Sequence, residues 1–207
     1  VWSLVQDTAW DGYEEVPLQI MKGYWTQIHE ITEQIIYSNV DVLFLQAGVG
    51  SWAASIASYI AIYWKNPPII ITVEPLSANC VYESIKTGKR VSINNHKNTI
   101  MAGLNCGTVS KIAWKILKNY VHYSLAIPDA YTKRAMRLFA YPIKDDKVII
   151  AGESGAGGMA GLLAYLEDKE YMKKRILTSS STALIINTEG DTDSCSYNKI
   201  IRMEDER

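Results

Sequence analysis

The sequence predicts an α/β fold with a mostly parallel sheet flanked by helices. Short apolar, β-branched runs alternate with longer segments whose apolar residues recur every three or four positions, as strands and helices do in this fold class. Several of these runs end in turns rich in glycine or acidic residues, and ligands of parallel sheets bind at such strand ends. No linker divides the 207 residues, so we expect a single folding unit.

The helical segments are identified by their periodicity and their boundaries. Pro17 follows two acidic residues, and apolar residues then recur at helical spacing as far as Ile35, which predicts a helix with proline in its first turn. Residues 51–64 are apolar on most sides, as in a helix buried between layers, and the prolines at 67 and 68 end it. Further helices are predicted at residues 108–120, from Pro128 toward Phe139, and around residues 162–166.

The predicted strands are short apolar runs. Residues 40–45 form the first, and residues 69–73 form a continuous β-branched run that is typical of a strand buried on both faces. The polar residues 84–98 are predicted to be a long surface loop. Other strands are predicted at residues 121–127, 147–150 and 182–186.

Composition narrows the classes of function. The formal net charge is −1, with 21 basic and 22 acidic residues, so the overall charge favours neither nucleic acid nor an anionic membrane as a partner. No apolar segment is long enough to cross a bilayer and no signal peptide is recognised, so we expect a cytoplasmic location. The three histidines and three cysteines show no metal-ligand spacing, so no metal site is predicted.

The most informative stretch follows the first predicted strand. Gly48, Val49, Gly50 and Ser51, which we call the glycine loop, lie between this strand and a predicted helix. Glycines let the backbone approach a phosphate, and the N–H groups and dipole at a helix start favour its negative charge. The loop also satisfies Gly-x-Gly-x-x-Ala, a dinucleotide fingerprint, while a tight turn without a ligand can contain the same glycines. The spacing alone leaves all three interpretations open.

Of the residues near the loop, one favours the dinucleotide alternative and two disfavour it. Glu74 ends the next predicted strand, where dinucleotide-binding folds place the carboxylate that binds the ribose. Pro75 weakens this interpretation, and so does Trp52, which follows the glycine turn directly where a pyrophosphate needs room. An NAD-dependent oxidoreductase therefore stays open as an alternative function.

Three more polar residues occupy positions that suit a binding site. Thr188 follows the last predicted strand and can present a hydroxyl to a cleft, and Glu153 lies between glycines at another predicted strand end. Asp7 lies among apolar and aromatic residues, where a raised pKa would let it carry a proton, although it could also cap a turn. Asp191 and Asp193 are interpreted as solvated loop and helix-capping residues.

Six short segments keep the order and spacing of one known family. They are residues 5–13, 46–50, 73–75, 99–104, 151–156 and 188–193. Together they resemble diaminopropionate ammonia-lyase, a fold-type II pyridoxal-phosphate enzyme related to threonine deaminase and to the β subunit of tryptophan synthase. The resemblance extends over residues 1–207 and implies the C-terminal part of such an enzyme without its N-terminal half. This part is mainly the large cofactor-binding domain, with residues 1–14 bordering the small domain.

The resemblance implies a role for each candidate residue. The glycine loop would hold the phosphate of pyridoxal 5′-phosphate, and Thr188 would meet the pyridine nitrogen. Glu153 would lie near the edge of the ring, and Asp7 corresponds to an acid that acts at the α-carbon of a small amino-acid substrate. The implied reaction eliminates ammonia from 2,3-diaminopropionate and yields pyruvate and ammonia.

The resemblance also implies what this chain lacks. The family carries its aldimine-forming lysine in the N-terminal half, whereas Lys22, Lys65, Lys89 and Lys97 are interpreted as surface residues. The chain starts at Val1 inside an apolar run, which suggests a cut through a longer protein. We therefore expect the chain to be inactive alone, and a pyridoxal-phosphate-binding fragment or pseudoenzyme is an alternative.

Two further expectations follow from the family. A homodimer is expected for the full-length enzyme. Cys80 and Cys106 occupy family positions near the entrance of the site, where a disulfide is one option, but two free thiols are the expected state in a cytosolic protein.

Overall fold

Parallel strands form the centre of the molecule. The computed structural model describes residues 2–93 and 98–203. Its sheet has the order β3–β2–β1–β4, with every pair parallel, which confirms the predicted fold class. The strands are β1 (Val42–Gln46), β2 (Ile69–Pro75), β3 (Tyr123–Ile127) and β4 (Ala183–Ile185).

Helices cover both faces of this sheet. One apolar core packs α1, α2 and α4 against one face, and a second packs α5, α6 and α8 against the other. Leu43 and Leu45 of β1 belong to the first core, and Val42 and Phe44 to the second, as the alternation of side chains along a strand requires. The helices are α1 (Glu15–Gln34), α2 (Ser51–Tyr63), α3 (Cys80–Thr87), α4 (Lys111–Tyr120), α5 (Asp129–Ala140), α6 (Gly157–Glu167), α7 (Lys169–Lys173) and α8 (Ser194–Ile201).

The strand predicted at residues 147–150 is wrong. The Ile149 N–H donates to the Phe139 carbonyl oxygen at 3.0 Å, but no strand of the described residues pairs with this stretch. Val148 and Ile150 are 64% and 52% exposed. A β-branched run forms a strand only where a neighbouring strand completes its hydrogen bonds, and this run lies beyond the sheet.

The loop predicted at residues 84–98 is wrong over its first part. Helix α3 extends to Thr87 and ends at Gly88, which has a φ of +70°. Both carboxylate oxygens of Glu74 bind its start, accepting from the N–H of Val81 at 2.8 Å and of Tyr82 at 2.6 Å. The residue that stabilises the start of α3 therefore belongs to β2, and the local composition of residues 84–98 does not show it. Residues 94–97 lie outside the described residues.

Helix α8 was not predicted from the sequence, but its cap was. The Asp193 carboxylate accepts from the N–H of Cys195 at 3.1 Å and of Ser196 at 3.0 Å, which confirms its interpretation as a capping residue. The helix buries Tyr197 and Ile200 against the second core. Eight residues hold too few turns for their periodicity to stand out.

Gly161 lets α6 lie directly against β2. A Cβ atom at this position would overlap the methyl groups of Val73. We therefore expect Gly161→Ala to lower the free energy of unfolding by about 1–3 kcal/mol, as overpacking of a core does. The matched control is Gly23→Ala in α1, where no atom lies within 4 Å of the added Cβ and helix propensity predicts a gain of up to about 1 kcal/mol. Urea denaturation measures both, and equal losses in the two variants would contradict the prediction.

Candidate active site

A cavity of about 810 Å³ opens at the carboxyl ends of β1 and β4. Gln46 at the end of β1, Thr188 after β4 and the glycine loop all line it. Residues of α1 form another wall. The turns that follow β1 and β4 therefore share one edge of the sheet, as the parallel arrangement predicts.

The glycine loop has the shape that an anion site requires. Gly50 has a φ of +86°, in the left-handed region that favours glycine. A Cβ on Gly48 would lie 3.0 Å from both Cys106 Sγ and the Gly103 carbonyl oxygen, so a larger residue does not fit there without displacing its neighbours. No side chain of the described residues caps the start of α2 at Ser51, which leaves N–H groups of its first turn available to an anion.

Backbone contacts hold Asp7 at the cavity. Its carbonyl oxygen accepts from Ser51 Oγ at 2.8 Å, and the N–H of Ala9 donates to Ser110 Oγ at 2.9 Å. The N-terminal segment is thereby attached to the starts of α2 and α4. Partial burial raises the pKa of the Asp7 carboxyl more than its own backbone hydrogen bond lowers it, which is the direction expected from its apolar neighbours.

Thr188 and Gln46 are linked on the cavity wall. Gln46 Nε2 donates to Thr188 Oγ1 at 2.8 Å and to the Ile186 carbonyl oxygen at 2.9 Å. Gln46 is 3% exposed, whereas Thr188 is exposed at the cavity. Gln46 was missed as a site residue, although a glutamine at the end of an otherwise apolar buried strand was a usable signal.

The structure does not bring Glu153 into the cavity. Glu153 is buried, and its Oε1 accepts from Ser196 Oγ at 2.5 Å, so it ties its turn to α8. Glu189 lines the cavity instead, and its Oε2 accepts from the N–H of Ser154 at 2.7 Å and of Gly155 at 3.2 Å. Each of these two carboxylates lies in a turn next to glycine, and the local sequence does not show toward which side of its turn a carboxylate points. The sequence therefore offers no reason to prefer Glu189 over Glu153.

The α1 wall was also missed from the sequence. Tyr24, Gln27 and Glu30 line the cavity from this helix, at positions that repeat along one face of it. Trp52 Nε1 donates to Gln27 Oε1 at 2.8 Å, which holds the indole beside the glycine loop. Burial, and then the charge of Asp7, raise the pKa of the Tyr24 phenol.

Cys80 and Cys106 are free thiols, as expected. Cys80 Sγ donates to the Gly48 carbonyl oxygen at 3.5 Å, and Cys106 lines the cavity on the other side of the same glycine. Burial raises the pKa of both thiols, so both are poor nucleophiles at neutral pH.

Glu74 is not available to bind a ribose. It is fully buried, and both its oxygens bind the start of α3. The carboxylate that favoured a dinucleotide therefore has a structural role, and Trp52, which follows the glycine loop, lines the cavity.

Cationic groups are scarce at this cavity. Its lining, drawn from residues 2–93 and 98–203, contains no lysine. Lys22, Lys65 and Lys89 are exposed, as predicted, and Lys97 lies outside the described residues. In the same parts of the chain no three His, Cys, Asp or Glu side chains lie close enough together to hold a metal ion, and no helix has the length and apolarity needed to cross a bilayer.

The fold is that of a fold-type II cofactor enzyme, and the chain belongs to the family of pyridoxal-phosphate dependent enzymes, whose model matches residues 9–182. It is 37% identical over 206 residues to diaminopropionate ammonia-lyase of Escherichia coli strain K12, and 40% identical over 210 residues to that of Salmonella typhimurium. Each alignment covers 97% of this chain and 52% of the relative. The chain thus spans about half the length of the curated relatives it matches.

A solved structure agrees with these relatives. The crystal structure of Escherichia coli diaminopropionate ammonia lyase in complex with an aminoacrylate–PLP azomethine reaction intermediate matches with a TM-score of 0.89 and 36% identity, covering 98% of this chain and 53% of that one. The resemblance predicted from six short segments is confirmed, and pyridoxal phosphate is the cofactor that it indicates.

Glu74 makes the stability of the fold depend on pH. Burial raises its pKa from 4.5 to about 8, outweighing the hydrogen bonds from Val81 and Tyr82 that lower it. Because the folded state keeps a proton that the unfolded state has lost, stability falls as pH rises from about 4.5 to 8. The contribution of this group is at most about 1.4 kcal/mol per pH unit.

Glu74→Gln should remove this contribution, because the amide does not ionise. Urea denaturation at several pH values between 5 and 8.5 (roughly the interval that linkage defines) measures it. Glu83→Gln, on α3 but partly exposed, is the matched control and should keep most of the wild-type slope, because the charge of Glu83 is the smallest of the causes that shift the pKa of Glu74. Equal slopes in the wild type and in Glu74→Gln would contradict the prediction.

Proposed function

We propose that this chain is the C-terminal part of a pyridoxal-phosphate-dependent ammonia-lyase that converts 2,3-diaminopropionate to pyruvate and ammonia. One observation supports this most directly. A single cavity contains the glycine loop, Asp7 and Thr188, in a chain that is 37–40% identical to diaminopropionate ammonia-lyases. The lysine that binds the cofactor aldehyde is expected in the part of the enzyme outside residues 1–207, so this chain alone should not turn over.

The cavity fits pyridoxal phosphate. The glycine loop is the proposed phosphate site, because α2 starts there without a side-chain cap and its N–H groups and dipole stabilise an anion. Gly48 has no side chain and lines the cavity, so its backbone is available at the cavity wall. The phosphate would therefore be held by backbone groups and not by a cationic side chain.

Thr188 is the proposed partner of the ring nitrogen. When bound, pyridoxal phosphate supplies an electron sink for the charge left at the α-carbon of the substrate after its proton is removed. A neutral hydroxyl, unlike a carboxylate, does not hold a proton on the ring nitrogen, so the sink is weaker. A weaker sink suits an elimination, because the leaving group at the β-carbon takes up the charge.

Asp7 is the proposed proton carrier at the α-carbon. Its raised pKa brings it nearer to the operating pH, where a general acid or base works best. Its backbone is held by α2 and α4, so the carboxyl group keeps its place at the cavity. The other cavity carboxylate after β4, Glu189, binds backbone N–H groups and is less free to exchange protons.

Two properties of the whole enzyme stay predictions. The family resemblance implies a homodimer, in which residues 1–14 of each chain border the small domain and the rest belongs mainly to the large domain. A cytoplasmic location is expected from the sequence.

Cofactor titration tests the phosphate site. We expect this chain to bind pyridoxal 5′-phosphate in competition with inorganic phosphate, and borohydride reduction to leave no stoichiometric adduct on a single lysine. Gly48→Ala should weaken binding at least about tenfold, because the added methyl group presses on Cys106 and on the Gly103 carbonyl. Gly190→Ala, which meets no atom within 4 Å, should bind as the wild type does.

Other results would change the assignment. Quenching of NADH fluorescence without pyridoxal phosphate binding would favour the oxidoreductase alternative. A stoichiometric lysine adduct would contradict the expectation that the lysine lies outside this chain. If a chain that also carries the missing half binds the cofactor but releases no pyruvate from 2,3-diaminopropionate, the pseudoenzyme alternative is favoured.

Asp7→Asn tests the proton carrier in that longer, active form. We expect kcat for pyruvate release to fall by roughly 10²–10⁴, the usual contribution of general acid–base catalysis, with cofactor affinity little changed. Asp11→Asn is the matched control, since Asp11 is in the same segment but is exposed and paired with Lys111. A similar loss in both variants would indicate that the segment, and not the Asp7 carboxyl, is what matters.

A further inference from the structure

Gln46 controls the hydrogen bonding of the Thr188 hydroxyl. Its amide nitrogen lies 2.9 Å from the Ile186 carbonyl oxygen and 2.8 Å from Thr188 Oγ1. Its amide oxygen is buried and has no hydrogen-bond partner among the described residues. The side chain is 3% exposed, so water does not compete freely for these contacts.

The orientation of this amide is determined by its surroundings. If nitrogen and oxygen were exchanged, the amide oxygen would face the Ile186 carbonyl oxygen, and two acceptors would be in contact. The nitrogen therefore faces Ile186, and its second hydrogen points to Thr188. Gly157 and Gly158 leave the space for the side chain, since Cβ atoms there would lie 2.9 Å from Gln46 Cβ and 3.3 Å from its Oε1. The oxygen thus lies at the first turn of α6, whose positive end stabilises it.

This arrangement determines the direction of the next hydrogen bond. Thr188 Oγ1 accepts from Gln46, and Gln46 is the only partner that the described residues offer to this hydroxyl. Its own proton is therefore left for a group in the cavity, which Thr188 lines. The oxygen keeps one further lone pair, but only donation to a lone pair of the ligand gives this proton a partner in the cavity.

We propose that Gln46 is a positioning residue that makes Thr188 a hydrogen-bond donor to the ring nitrogen of bound pyridoxal phosphate and so keeps that nitrogen unprotonated. The inference rests on the proposed function, in which Thr188 meets the ring nitrogen. Gln46 does not touch the ring in this proposal. It acts through Thr188, and by setting the protonation of the ring nitrogen it sets how strongly the ring withdraws electrons. A partner that reverses the hydrogen bond should reverse the protonation preference of the nitrogen.

Gln46→Glu provides that reversal with almost no change in shape. The Ile186 carbonyl oxygen still needs a donor, so a neutral glutamic acid gives its single proton to it. The same oxygen of the acid then accepts from Thr188, and an ionised carboxylate also accepts. In both states the Thr188 proton points away from the cavity, and its lone pair faces the ring nitrogen and favours the protonated form.

The probe is pyridoxine 5′-phosphate labelled with ¹⁵N in the ring. It has an alcohol in place of the aldehyde, so it forms no imine and needs no lysine. The experiment can therefore use this chain without the missing half. The ¹⁵N chemical shift over a pH series reports the pH at which the bound ring nitrogen takes up a proton. We expect this pH to be lower for the probe on the wild-type chain than for the free probe, and to rise by about one unit in Gln46→Glu.

Gln27→Glu is the control for added charge. It places a carboxylate in the same cavity, on the α1 wall, keeps an acceptor for Trp52 Nε1 and has no hydrogen bond to Thr188. It should raise the protonation pH clearly less than Gln46→Glu does. In the Thr188→Val background, which lacks the hydroxyl, the two glutamate variants should differ little. An equal rise for Gln27→Glu and Gln46→Glu in the wild-type background would overturn the proposal.

Gln46→Met covers the case in which Gln46→Glu does not fold. Without the amide, no donor fixes the orientation of the Thr188 hydroxyl, so its oxygen can accept from the ring nitrogen as readily as its proton is donated to it, and a smaller rise is expected. An unchanged protonation pH in the variant that folds overturns the role of Gln46 while leaving the proposed function intact. Failure of the wild-type chain to bind the probe overturns the proposed phosphate site itself, and the role of Gln46 with it.

Discussion

The parallel pairing of β1 with a strand on each side is the constraint on which the candidate site depends. Leu43 pairs with Ile70 of β2 and with Leu184 of β4, and the shared direction brings the carboxyl ends of these strands to one edge. The glycine loop and Thr188 meet there although about 140 residues of chain separate them. Gln46 links β1 to the chain after β4 beyond the last paired residues, since its amide donates to the Ile186 carbonyl oxygen and to the Thr188 hydroxyl.

The second requirement is that backbone segments approach one another closely. Glycines make this possible both in the turn before α2 and along α6. Gly50 provides a positive φ at the start of α2, where a ligand-binding turn has to change direction. Gly158 and Gly161 let α6 lie against β1 and β2, which leaves room for the Gln46 amide. The same residues that permit tight packing therefore also shape the wall of the cavity, so the stability of the sheet and the geometry of the site are coupled.

Local signals were sufficient where the interacting groups are close in sequence. The capping role of Asp193 was predicted because its partners are two and three residues away, and the glycine loop was identified from a strand, a turn and a helix in immediate succession. Glu74 favoured a dinucleotide in the sequence because its partners, Val81 and Tyr82, lie at the start of a helix that the local pattern did not predict. Residues 147–150 were misassigned because a strand depends on a neighbour that no local pattern reveals.

The sequence by itself determined the α/β class, the parallel sheet, the glycine loop and the candidacy of Asp7 and Thr188, because periodicity, composition and motif order are local or nearly local. Only the tertiary structure decided that Glu189 lines the cavity while Glu153 binds α8, that α1 forms a wall, and that Gln46 orients toward Thr188. Those outcomes depend on which face of a turn or helix meets elements far away in the chain. Packing decides which face meets those distant elements, and the pattern of residues along the chain does not show it.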